Sequence, residues 1–434
     1  MQFLSNVIFI ALLGGAIFWF TKNVGRIRRN ILLGRDVDRS KNAAGRRANM
    51  FRVAFGQSKM QARPIAGFLH FIIYISFIII NIEVLEIVID GIFGSHRFFS
   101  HYLGNAYNFV ISFFEILAVA TIVTVVIFWW RRNVSKLERF HKEEMKGWPF
   151  KDANIILYIE VALMLALLNM NAVEENFASS EHSFIVSHSI SPLWSGLSEN
   201  SLQLLERFFW WIHIAGILAF LNYLPFSKHF HIILAFPNTY YANLEAKGRF
   251  TNNASVTREV KLMMDPTADP FAAPAPNANE PLEKFGAKDA MDLSWVNLLN
   301  AYTCTECGRC TSECPANLTG KKLSPRKIMM DTRDRIDEIG KNIETNIEFK
   351  DDGKTLLGDY ISPEELWACT SCNACVQACP VDIDPLNIIM QLRNFATMEE
   401  SSAPVELNAM MTNVENNGAP WPLSQMDRAN WINE

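Results

Sequence analysis

Five stretches of this 434-residue chain are long and apolar enough to cross a lipid bilayer. They run at about Phe3–Phe20, Ile65–Ile89, Tyr107–Trp130, Ile155–Leu168 and Leu204–Leu224, the fourth being the shortest. Hydrocarbon offers the backbone no hydrogen-bond partner, so each stretch is predicted to be a helix that satisfies itself. The first half of the chain is therefore confined to a bundle of membrane helices. The first stretch lacks a basic flank before it and a small-residue cleavage site after it, which favours a retained span over a signal peptide. Residues 250–434 read instead as an ordinary polar, globular segment.

Charge in the loops orients the bundle. Asn23–Pro64 holds eleven basic residues and Arg131–Lys151 holds seven. Gly91–Gly104 has only Arg97, and Asn169–Gln203 has no Lys or Arg while carrying Glu174, Glu175, Glu181 and Glu199. Basic loops stay in the cytoplasm. The N-terminus is then outside, and everything after about Pro237 is cytoplasmic, in a multi-pass protein of the cytoplasmic (inner) membrane. A net charge of −5, with no basic patch interleaved with aromatics in the second half, argues against nucleic acid.

All eight cysteines fall in two boxes, CTECGRCTSECP (Cys304–Pro315) and CTSCNACVQACP (Cys369–Pro380). A reducing cytoplasm does not sustain structural disulfides, so the boxes read as metal ligands. Zinc knuckles use two CxxC pairs and leave the third and fourth cysteines of each box without a role. The spacing C-x2-C-x2-C-x3-C-P suits a [4Fe–4S] cluster, with three thiolates from one box and the fourth from the other. The predicted sets are Cys304, Cys307, Cys310 and Cys379 for one cluster, and Cys369, Cys372, Cys375 and Cys314 for the second. Crossed ligation puts the boxes side by side with pseudo-twofold symmetry. Between them SPRKIMMDTRDRIDEIGKNIE has a charged helical pattern and Asp351-Asp352-Gly353 a turn. SWVNLLNAY and PEELWAC flank them with apolar residues at helical spacing. An all-α cluster domain is expected.

The pattern YTCTECGRCTSECP…LWACTSCNACVQACPVDIDP resembles the iron–sulfur domain of the heterodisulfide reductase family. The tail ENNGAPWPLSQMDRANW is similar to the segment that follows the second box there, and in fused members it leads into cysteine-rich CCG domains. This chain ends at Glu434 with no further cysteine. The resemblance thus implies a separate CCG-domain iron–sulfur subunit as catalytic partner, with an electron-transferring flavoprotein among the candidate donors.

Three histidines lie in or at the ends of spans: His70, His213 and His231. Ionisable groups at such depth are functional candidates, and a b-type haem takes two imidazoles from different helices. His213 and His231 are 18 residues apart. On one unbroken helix they would share a face about 27 Å apart, too far for one haem and suited to two. WIHIAGILAFLNYLPFSKHFHI resembles the last helix of the gamma subunit of respiratory nitrate reductases, a cytochrome b, and RPIAGFLHFI is similar to its second helix. That resemblance implies an inner haem on His70 and His231 and a second on His213. The partner expected for His213, near Ile80, is missing. Glu83, Glu86, Glu115 and Glu160 are candidates to relay protons to a quinone, although Glu83 and Glu86 are close enough to the outer interface to snorkel into water. His229, two residues from His231, faces another way on a helix. His182 and His188 read as solvated.

Four regions are expected: a transmembrane haem b domain (1–236), a Pro/Ala-rich linker (237–290), a dicluster α-helical ferredoxin domain (291–400) and a tail that docks a partner subunit (401–434). The fold class is all-α, a five-helix cytochrome b-type bundle followed by that ferredoxin domain. The reading is a membrane-bound electron-transfer subunit of a quinone oxidoreductase, passing electrons between a cytoplasmic partner and the (mena)quinone pool through two [4Fe–4S] clusters and haem b. The alternative is a membrane-anchored iron–sulfur redox sensor or scaffold without quinone chemistry.

Overall fold

The computed structural model describes residues 2–178, 184–250, 252–267 and 284–433. His182 and most of the Pro/Ala-rich stretch, 268–283, lie outside the described residues. The described residues form helices and turns, with two isolated bridges and no strand among them. Five helices are long and apolar enough to cross a membrane. They are α1 (Gln2–Ile31), α3 (Pro64–Phe93), α4 (Asn105–Asn133), α5 (Trp148–Ala178) and α6 (Glu199–Tyr223), with the short α2 (Ala43–Met50) in the first basic loop.

The fourth span is longer than hydropathy predicts, at 31 residues. Asp152, Asn171 and Glu174 interrupt its apolar run in the sequence, but each is satisfied inside the bundle. Asp152 accepts from the Tyr223 and Ser227 hydroxyls at 2.5 and 2.7 Å. Asn171 and Glu174 accept from the Arg97 guanidinium, both at 2.6 Å. A paired polar group removes the penalty that ended the run on paper.

Two expectations are corrected. The last span does not continue to His231. α6 ends at Tyr223, Pro225 sits in a 3-10 turn that cannot extend the helix, and Ser227 is extended (φ −122°, ψ 150°). Ser227 then caps a new turn through the His229 N–H (3.1 Å), and α7 begins at His231 and ends at Tyr240. His213 and His231 therefore share no helix face. Nor do Glu83 and Glu86 snorkel. Both are buried, and the Arg97 loop folds inward over them. Glu86 accepts from the Tyr107 hydroxyl and the Phe99 N–H, each at 2.7 Å. Glu83 lies 3.7 Å from the Arg97 guanidinium.

The cluster half packs against the end of the bundle that carries the basic loops. Its helices include α8 (Trp295–Thr303), α9 (Pro325–Asn346) and α10 (Pro385–Met398), and the exposed α11 (Val405–Asn417) lies in the tail. The three stretches read as helical begin at serine caps, Ser294, Ser324 and Ser362, and Ser294 and Ser362 close capping boxes with Asn297 and Glu365. Gly353 takes the predicted turn, with φ 71°. One apolar core runs through the joint: Ile27, Ile31, Leu224, Phe230 and Leu234 from the membrane half meet Leu298, Ile328, Ile339 and Ile388. The end of α1 is stitched in by Asn30 to the Tyr302 hydroxyl (2.9 Å) and by Arg29 to the Gly340 carbonyl (3.0 Å). A Cβ on Gly340 would stand 2.4 Å from the Asn30 side chain, so this approach requires glycine.

Candidate redox centres

The two cysteine boxes have the same backbone. Two residues after the first cysteine, Glu306 and Ser371 take left-handed φ of 55° and 56°; one after the second, Gly308 and Asn373 take 71° and 62°. These conformations wind three cysteines of each box around one centre. They also aim amides at sulfur: the Ser371 N–H points at Cys369 Sγ (3.4 Å), and the Glu306 N–H at Cys304. At position 308 glycine is needed twice over, because a Cβ there would meet the Arg326 guanidinium at 2.6 Å.

Cys304, Cys307, Cys310 and Cys379 line one small cavity, together with Met329 and Ile383. The Cys314 thiol lies within electrostatic reach of Cys369 and Cys375 on the other side. The structure thus brings together the two thiol sets expected from spacing. Among the described residues no three His, Cys, Asp or Glu side chains are placed to hold a single metal ion. Four thiols in one cavity match the donor set of a sulfide-bridged cluster. Burial pushes the Cys304 thiol up to about 11 and Cys379 up to about 12. Ligation takes thiolates, so loading these sites expels protons.

The first box faces the membrane half. Lys59, just before α3, donates to the Cys379 carbonyl (3.2 Å) and pairs with Asp382 at 2.5 Å. Arg309 donates to the Lys59 carbonyl at 3.2 Å and to Met60 Sδ at 3.4 Å. The fully buried Arg326 reaches the loop between α4 and α5, pairing with Glu144 at 2.6 Å. Glu306, inside the box, is clasped by Lys228 and by Arg333 (2.8 Å). Burial opposes its charge, yet Arg333 and Lys228 prevail and hold its carboxyl below the ordinary range. The second box faces away, and Cys372 is exposed. Spacing arguments single out none of Glu306, Lys228 or Arg326. Their only sequence signal is a charge within or beside a motif.

Above the first box the His70 and His231 rings face one another across 6.4 Å between centroids, at 45°. Two imidazoles bonded to one metal through bonds of about 2 Å would stand a little over 6 Å apart, so the pair fits an axial set. His231 Nδ1 is hydrogen-bonded to the Lys228 carbonyl (3.1 Å), which leaves Nε2 as the nitrogen that could meet a metal. His213 is arranged alike: Nδ1 bonds to the Leu163 carbonyl (2.9 Å), and Nε2 is buried with no partner. No second imidazole is set opposite it among the described residues. His96 is taken up by Glu174 (3.0 Å) and faces Arg207 (3.4 Å). His188 bonds Glu175 and is exposed, as expected. His229 is the histidine misjudged by helical geometry. In its short turn the ring sits 5.5 Å from that of His231 and 3.9 Å from the Glu160 carboxylate.

Apolar spans joined to paired thiol sets define a membrane-anchored iron–sulfur protein of the electron-transfer class. Residues 303–383 match the family described as the 4Fe-4S dicluster domain. Over its length the chain is similar to the probable iron-sulfur-binding oxidoreductase FadF of Bacillus subtilis, 28% identical over 413 residues covering 88% of this chain and 54% of that protein. It is similar to the EtfAB:quinone oxidoreductase of Syntrophomonas wolfei, 25% identical over 425 residues, 92% of this chain and 55% of the relative. Its cluster half is similar to one subunit of the ferredoxin/F(420)H(2)-dependent CoB-CoM heterodisulfide reductase of Methanosarcina acetivorans, 33% identical over 119 residues, 27% of this chain and 60% of the relative. The chain spans about half the length of the first two relatives. No solved structure matches it. These likenesses support a membrane-associated electron-transfer role with 4Fe–4S clusters.

Proposed function

We propose that the chain carries electrons between a soluble redox partner and a quinone in the bilayer, through two [4Fe–4S] clusters and a b-type haem on His70 and His231. The observation that carries this reading is the opposed His70–His231 pair, 6.4 Å apart, on the side that meets the first box and the Cys379 that joins it. The clusters and the haem supply one-electron exchange at successive depths. The residues of the chain supply the rest. Cys304, Cys307, Cys310 and Cys379 hold the cluster nearer the membrane; Cys369, Cys372, Cys375 and Cys314 hold the one nearer the partner. Lys228 ties the two halves into one body, its carbonyl orienting His231 and its ammonium gripping Glu306. His213, with a free buried Nε2, would hold a second haem only with a ligand other than histidine from the described residues.

The basic loops and the cluster domain share one end of the bundle, which by the charge rule is the cytoplasmic one. The partner there is a CCG-type iron–sulfur unit, fed by an electron-transferring flavoprotein. The likeness to the EtfAB:quinone oxidoreductase of Syntrophomonas wolfei supports both that donor and the quinone. The tail, with Trp421, Met426 and Trp431 exposed, is the docking segment. The test is a dithionite-reduced spectrum of the purified chain. A b-type α-band is expected, and His70→Ala and His231→Ala should each abolish the same band and leave the cluster EPR intact. Loss in only one variant refutes the pairing, and no band at all refutes the haem.

A further inference from the structure

Most acids inside the spans are hydrogen-bonded, and the buried Glu83 keeps the Arg97 guanidinium at 3.7 Å. Toward the end away from the clusters, Glu86, Asp90, Glu115 and Glu174 are each met by donors: Tyr107 and the Phe99 amide, the Arg97 and Phe98 amides, Asn171 and the Val186 amide, and Arg97 with His96. Toward the cluster end stand Glu160, in the middle of α5, and His229. Their one polar side-chain contact among the described residues is with each other, at 3.9 Å, too long for a direct hydrogen bond. Both side chains are partly open, 14% and 15% exposed. An acid and an imidazole left in this state within the membrane half are expensive unless something uses them. Next to them lies an aromatic wall. The His229 ring packs on Phe220 at 5.3 Å and stands edge-on to His231 at 5.5 Å.

We propose that His229 and Glu160 form the head-group site for the quinone, one ring away from His231. This rests on the electron-transfer reading above and deepens it. A quinone head is a flat apolar ring with two carbonyl oxygens. It fits a niche that offers an aromatic face, a neutral N–H donor and a carboxyl group, with its tail in lipid. On reduction both C=O π bonds are lost and two O–H bonds form. The two electrons come from the reduced iron–sulfur partner. The two protons are passed in turn by the Glu160 carboxyl, which refills from water at the cluster end. His229 holds the ring by its N–H. Close by, Asp152 accepts from Tyr223 and from Ser227, whose oxygen in turn takes the His229 amide, so the turn that carries His229 is rigidly hung.

The full chain in lipid vesicles is irradiated with an azido-menaquinone. Adducts are expected on the stretches around Glu160 and from Phe220 to His231, competed by unlabelled menaquinone and reduced at least tenfold in His229→Leu. Glu160→Gln keeps its shape; it is expected to retain labelling but to slow haem reduction by menadiol at least tenfold. Each variant is first matched to the wild-type dithionite spectrum, and Glu160→Gln carries the test where His229→Leu does not fold. Labelling confined to other helices, or both variants behaving as wild type, overturns the site. Failure of the electron-transfer reading is a different result: the α-band is missing whatever the labelling pattern.

Discussion

Replacing Arg97 with leucine strips the outer polar network of the guanidinium that Glu174 and Glu83 both face. The geometry sets the size of the effect. Arg97 is 6% exposed at its side chain, Glu174 1% and Glu83 2%. The guanidinium donates to Glu174 twice, at 2.6 and 3.2 Å, and to Asn171 at 2.6 Å. Removing one partner of a buried pair leaves an uncompensated charge and costs about 3–5 kcal/mol. With melting shifts of a few degrees per kcal/mol in domains of this size, the variant should melt roughly 10 °C lower. Removing both charges of the Arg97–Glu174 pair leaves only Glu83 without its counter-charge, so Arg97→Leu with Glu174→Gln should recover part of the loss, by about 0.5–3 kcal/mol of coupling. The assay is thermal unfolding of the purified chain in lipid nanodiscs, followed by tryptophan fluorescence, for the wild type, both single variants and the double. A single Arg97→Leu variant that melts within a degree or two of wild type refutes the reasoning. So does a double variant no better than the sum of its parts, which would mean that Arg97 and Glu174 do not act as a pair.

Crossed ligation makes a sharp prediction in the cluster half. Cys379→Ser should remove the same EPR signal as Cys307→Ser, although it lies in the other box, and Cys314→Ser should remove the signal lost in Cys372→Ser; losses that follow the boxes instead rule out the exchange. A pH effect is expected at Asp331, where burial, reinforced by Glu365 and Asp334, outweighs the Lys327 ammonium at 2.7 Å and pushes the carboxyl up to about 6. The folded chain then binds more protons than the unfolded one between about pH 4 and 6, so stability falls as pH rises through that window. Asp331→Asn should melt higher than wild type at pH 7.5, with the gap narrowing by pH 5.5; a gap independent of pH would show that Asp331 is not the titrating group.

Much of this is legible without any coordinates. Span positions follow from hydropathy because a helix in lipid needs only its own apolar length. The helix starts at Ser294, Ser324 and Ser362 follow from local capping chemistry. Hydropathy shortens the fourth span to Ile155–Leu168 because Asp152, Asn171 and Glu174 count as costs when their partners are unknown. Those partners, Tyr223, Ser227 and Arg97, are far away in sequence. Helical spacing turns His229 away from His231, but the two stand where a 3-10 turn runs into α7, and there the rings come within 5.5 Å.

By itself the sequence determined the five apolar spans, the two four-cysteine boxes and the identity of the histidines set in the membrane, since each is written in local spacing and composition. Tertiary structure decided which of them meet. It put Cys379 beside Cys304, His70 opposite His231, His229 beside Glu160, and Lys228 against Glu306. Local patterns set the period and length of an element, but not the turn at its end or the neighbour across the core. Those depend on burying one shared apolar surface, from Ile27 and Leu234 to Leu298 and Ile388, in the single arrangement that also leaves the buried charges around Arg97 and Glu306 paired.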